Sequence, residues 1–62
     1  MSFVKQRKKA GLSQDQVAEA LGIKAASVCQ WETGKTLPNA QKLPQIAKLY
    51  GCTVDELLAE ED

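Results

Sequence analysis

The chain has 62 residues, with eight basic and eight acidic side chains, two cysteines and no histidine. That length fits one domain, residues 1 to 62, whose small core yields about 3 to 5 kcal/mol of net stability and leaves little room for a catalytic cleft. No run reaches the roughly 18 apolar residues of a membrane span and no signal-peptide apolar segment is visible, so the expected location is the cytoplasm.

Residues 2 to 10 are predicted as a first helix, with Ser2 near its start, Phe3 as its main core anchor, Ala10 as a smaller contact and Gly11 as its stop. The second helix starts at Ser13, whose hydroxyl can cap it while Gln16, three residues on, caps in return. Val17, Ala18 and Leu21 then share one inward face, and Gly22 ends the helix in a left-handed turn. A third helix is expected from near Lys24 to Thr33, closed by Gly34. At about 100° per residue, Val28, Trp31 and Glu32 fall on one side, while Ala26, Gln30 and Thr33 project opposite, flanked by Ser27 and Cys29. The apolar arc has to face the core. Two short helices joined by a tight turn, with one narrow polar face left outward, make a helix-turn-helix whose second helix suits a DNA major groove.

Pro38 and Asn39 mark the next boundary, and Asn39 is a good N-cap for a helix from about Ala40 to Tyr50. Pro44 inside it cannot donate to the carbonyl four residues back, which predicts a bend or a loosened first turn. Leu43, Ile46, Ala47, Leu49 and Tyr50 supply the inward face, and Gly51 terminates the helix. Thr53 and Glu56 form a second reciprocal cap on a short final helix. Of Val54, Leu57 and Leu58, one or two pack inward and the surplus is available for a dimer contact. Residues Ala59 to Asp62 are expected to fray.

The runs GLSQDQVAEALGI, SVCQWETGK, LPNAQKL and QIAKLYGCTVDELL together resemble the Cro and phage-repressor type of helix-turn-helix domain, the xenobiotic-response-element family. The resemblance covers nearly the whole chain. It implies an all-α fold, a compact bundle of about five short helices with the helix-turn-helix at helices 2 and 3. It also implies that Arg7 meets Glu32, the residue after the recognition-helix tryptophan. A carboxylate on the inward arc independently requires a cationic, hydrogen-bonding partner.

The resemblance further implies that Gln14 grips a DNA phosphate, at a helix end where backbone N–H groups favour an anion. Ser27, Lys35, Thr36 and Asn39 are assigned to phosphates as well, with the backbone N–H groups of the Gly34 to Thr36 loop assisting. Base reading is assigned to Gln30, Ala26, Ala25, Lys24 and Thr33. Gln30 is the principal reader, since its amide can bridge adenine N6 and N7. Lys24 departs from the family's Ser or Thr, cannot cap the helix, and leaves a cation at the groove mouth. Ala25 and Ala26 depart from longer polar residues and can only touch a thymine methyl or permit close approach.

Charge is polarised along the chain. Residues 1 to 35 carry six basic and three acidic side chains, giving +3, whereas residues 36 to 62 carry two and five, giving −3. This would turn the helix-turn-helix half toward phosphates. Two cysteines without histidine lack a zinc ligand set, and no metal or cofactor is expected. The resulting expectation is a non-enzymatic, sequence-specific transcriptional regulator, most simply a repressor, binding double-stranded DNA as a homodimer on a two-fold operator. A partner protein is one route to its regulation. The competing expectation is an interaction module, such as an antitoxin or adaptor, whose helix-turn-helix has lost DNA recognition.

Overall fold

A computed structural model describes residues 1 to 59, which form five helices: α1 (Phe3–Lys9), α2 (Gln14–Leu21), α3 (Ala25–Thr33), α4 (Lys42–Tyr50) and α5 (Val54–Leu58). No strand occurs among the described residues. Their core consists of Phe3, Val17, Ala18, Val28, Trp31, Ile46, Ala47, Tyr50 and Leu57, so every helix contributes at least one buried apolar side chain. Each large member contributes about 1.5 to 3 kcal/mol by leaving water. The most extensive helix–helix contact joins α2 to α3, and α1 packs across α3, α4 and α5.

Two helix starts follow their local sequence closely. Ser13 Oγ accepts from Gln16 N at 3.1 Å and Gln16 Oε1 accepts from Ser13 N at 2.8 Å. The same reciprocal pair closes between Thr53 and Glu56, at 3.1 and 2.9 Å. Those hydrogen bonds hold the Glu56 carboxyl below its usual range. Within α5, Leu57 is fully buried, Val54 is partly buried against the core, and Leu58 remains 41% exposed. The expected fraying concerned Ala59 to Asp62; Ala59 is extended and the last three residues lie outside the described ones.

Helix α4 starts two residues later than expected. Pro44 explains this: without an N–H it leaves the Ala40 carbonyl unserved, so the regular ladder begins only at Lys42. Asn39 nevertheless caps the turn, its Oδ1 accepting from Lys42 N at 3.0 Å. Ser2 also departs from a simple cap. Its side chain makes no capping bond to α1. Instead its N–H donates to the Leu57 carbonyl (2.9 Å) and its hydroxyl to the Ala59 carbonyl (2.8 Å), which ties the beginning of α1 to the end of α5.

Tyr50 is buried, and its hydroxyl has no hydrogen-bond partner among the described residues. Burial, reinforced by the Glu32 charge and opposed by Arg7, pushes its pKa up to about 12. Removing an unpaired buried hydroxyl restores nothing to water that was satisfied before, so Tyr50→Phe is expected to leave stability unchanged or raise it by up to about 1 kcal/mol. The pH dependence has a definite sign. Because the folded pKa lies above the ordinary value of 10, the stability tied to neutral Tyr50 is fully present below pH 10 and is lost as pH rises through about 12. Urea titrations across that interval should show this alkaline loss in the natural chain and a smaller one in Tyr50→Phe.

Candidate nucleic-acid interface

The geometry of the α2–α3 pair begins with Gly22, which takes φ +69° and lets the Ile23 N–H return to the Ala18 carbonyl at 2.9 Å. An L side chain there would meet no neighbouring atom, but the left-handed backbone itself would cost about 1 to 2 kcal/mol. Lys24 is extended and serves as N-cap to α3 by position only, with no side-chain cap. The helix then starts at Ala25, one residue later than its expected beginning near Lys24. Its far end closes at Gly34, φ +80°.

Within α3, Val28 has no exposure and Trp31 has 6%, its ring tilted at 43° to that of Phe3 with centroids 6.3 Å apart. The opposite side carries exposed Ala26, Cys29 and Thr33 together with half-buried Gln30 and Ser27. The Gln30 amide makes no hydrogen bond among the described residues. Lys24, Lys35, Thr36 and Asn39 are all exposed around this face.

Ala25, three residues before Val28, is half-buried and packs against the core. One expectation needs correction: the loop after α3 offers less backbone than expected. Gly34 N donates to the Trp31 carbonyl, and Lys35 N and Thr36 N both donate to the Gln30 carbonyl at 3.0 and 3.3 Å. These N–H groups cap the helix, which leaves the Lys35 ammonium and the Thr36 hydroxyl as the loop's polar groups. Thr33 is similarly engaged, its hydroxyl donating to the same Gln30 carbonyl at 3.2 Å.

Arg7 and Glu32 meet as the inward carboxylate required. Arg7 Nε donates to Glu32 Oε2 at 2.5 Å and Nη2 to Oε1 at 3.2 Å, while Nη1 holds the Leu12 carbonyl at 2.9 Å. The side chains are only 13% and 6% exposed, and the hydrogen bond to Glu32 raises the Arg7 pKa further, against the opposing effect of burial. The third member of this cluster was not foreseen. Gln14 Nε2 donates to Glu32 Oε1 at 2.8 Å, so the residue assigned to a phosphate is also tied into the ion pair. Nothing in local spacing signals this, since the two residues are 18 positions apart and meet only through the α2–α3 crossing. Cys29 and Cys52 are both free thiols, and burial pushes that of Cys52 up.

Among the described residues, no helix is long and apolar enough to cross a membrane. The family model described as helix-turn-helix matches residues 4–57. The chain is 41% identical over 51 residues to the HTH-type transcriptional activator BcrR of Enterococcus faecalis, covering 82% of this chain and 25% of that protein. It is 36% identical over 55 residues to the HTH-type transcriptional regulator AnsR of Bacillus subtilis (89% of this chain, 47% of that one). It is also 36% identical over 52 residues to the cryptic phage CTXphi transcriptional repressor RstR of Vibrio cholerae (84% and 46%). The chain thus spans a quarter to about half the length of these relatives. No solved structure is significantly similar to it. With the match extending from α1 to α5 and the turn between α2 and α3 formed as described, the chain belongs to the Cro/C1-type helix-turn-helix family.

Proposed function

We propose that this domain binds double-stranded DNA sequence-specifically by placing α3 in the major groove, and that it acts in transcriptional regulation. The observation that carries the reading is the division of α3: Val28 and Trp31 are buried, while the Gln30 amide, unpaired among the described residues, lies on the opposite side beside Ala26 and Thr33. Gln30 reads an adenine, Ala26 permits close approach or meets a thymine methyl, Thr33 offers its oxygen and methyl, and Lys24 stands at the groove mouth. Gln14, Ser27, Lys35, Thr36 and Asn39 contact phosphates through side chains, and these contacts fix register rather than sequence.

A homodimer on a two-fold operator fits this reading. The molecule measures 27 × 23 × 21 Å, so copies on half-sites ~34 Å apart would lie almost edge to edge. Three large apolar side chains are exposed among the described residues, Met1, Leu37 and Leu58. Met1 and Leu37 line one cleft beside Trp31, and Ser2 holds the carbonyls on either side of Leu58. Repression by occupancy is the simplest mode. A cytoplasmic, nucleoid-associated location follows, with control through concentration, a partner protein or a further domain.

Selection of bound duplexes from a random pool tests the function. A defined sequence should emerge, and Gln30→Ala should bind it roughly ten- to a hundredfold more weakly while folding normally and relaxing preference at one A·T pair. Zero net charge and the inward turn of Ala25 favour a second reading, an adaptor or antitoxin module without DNA recognition. Recovery of no sequence, with capture of a protein partner by the α3 face, would select that alternative.

A further inference from the structure

Arg7 and Gln14 share one acceptor atom. Arg7 Nη2 lies 3.2 Å and Gln14 Nε2 lies 2.8 Å from Glu32 Oε1, so the two nitrogens are no more than about 6 Å apart, inside the ~8 Å screening length of physiological salt. A carboxylate only accepts hydrogen bonds, which obliges Gln14 to turn its nitrogen toward Glu32 and leaves that amide one further N–H. Any phosphate addressed by Gln14 would therefore lie close to a guanidinium already occupied by a carboxylate.

We propose that Glu32 is a positioning residue that sets the domain's affinity for the DNA backbone: it withholds the Arg7 guanidinium from the phosphate addressed by Gln14 and restricts Gln14 to a single amide N–H. The inference rests on the reading of Gln14 as a phosphate contact. Its consequence is sequence-independent, because an extra phosphate contact strengthens binding to every duplex alike. Neutralising Arg7 keeps the domain from lingering on DNA that lacks its operator. The base-reading side of α3 is unaffected, since Gln30 and Ala26 lie on the arc opposite Glu32.

The test uses the whole chain, the selected operator duplex and a scrambled duplex of equal length, with binding followed by fluorescence anisotropy between about 50 and 200 mM salt. Glu32→Gln is expected to bind both duplexes about tenfold more tightly at the low end and about threefold at the high end, the logarithmic salt slope steepening by about one. Arg7→Met/Glu32→Gln, which removes both charges, should return affinity and slope to the natural values. A merely structural role predicts the opposite sign, weaker binding of both duplexes with an unchanged slope, and that result overturns the inference. Circular dichroism in the same buffers gives the folded fraction by which each affinity is corrected. If the natural chain itself shows no salt-dependent binding to either duplex, the DNA reading fails together with this inference. Natural binding combined with an unsteepened slope in Glu32→Gln defeats this inference alone.

Discussion

Arg7→Met is expected to destabilise the domain by about 3 to 5 kcal/mol, which is comparable to its entire stability. The substitution removes both hydrogen bonds to Glu32 and the one to the Leu12 carbonyl. Glu32, 6% exposed, would then keep a charge neutralised by nothing and hydrogen-bonded only to Gln14. Most of the loss is the cost of that stranded carboxylate. Arg7→Met/Glu32→Leu, which removes the charge together with its partner, should therefore recover most of the stability. Arg7→Lys should fall between, because an ammonium cannot reproduce the guanidinium fork that serves Glu32 and Leu12 at once. Urea denaturation followed by circular dichroism measures all three. An Arg7→Met variant within about 1 kcal/mol of the natural chain would show that the pair contributes little beyond its appearance.

Trp31→Ala should be as damaging by a different route. Trp31 is 6% exposed, rests against Phe3 and stands on the same inward arc as Val28, so truncation opens a large cavity between α1 and α3. Such truncations cost about 3 to 5 kcal/mol, enough to leave most molecules unfolded at 25 °C. Trp31→Phe keeps an aromatic body and should lose less. Because Trp31 is the chain's one tryptophan, thermal unfolding has to be followed by circular dichroism rather than by its fluorescence. A melting curve for Trp31→Ala that overlays the natural one would place the side chain outside the core and turn the outward face of α3 in the wrong direction.

Both effects belong to parts of the molecule that are legible to different degrees before any coordinates. The inward turn of Val28 and Trp31 is a matter of helical periodicity, a short-range property that nine residues display in full. The reciprocal caps at Ser13 and Thr53 are equally local, each closing within four residues. Arg7 and Glu32 were paired through resemblance, supported by the need of an inward carboxylate for a cation. Ala25 and Ala26 stand one step of about 100° apart, which brings Ala25 against the core and leaves Ala26 exposed. The loop after Gly34 was credited with free N–H groups that the end of α3 itself consumes, since helix carbonyls left unserved recruit whichever donors follow.

The amino-acid sequence by itself determined the five helices, the reciprocal caps at Ser13 and Thr53, and which side of α3 is apolar. These depend on contacts between residues a few positions apart, whose geometry the helical repeat supplies. Only the tertiary structure decided that Ser2 binds the carbonyls of Leu57 and Ala59, that Gln14 joins Glu32, and that the Tyr50 hydroxyl is buried without a partner among the described residues. The physical reason is that such meetings depend on how helices cross, and a crossing is set by the packing of the whole core at once.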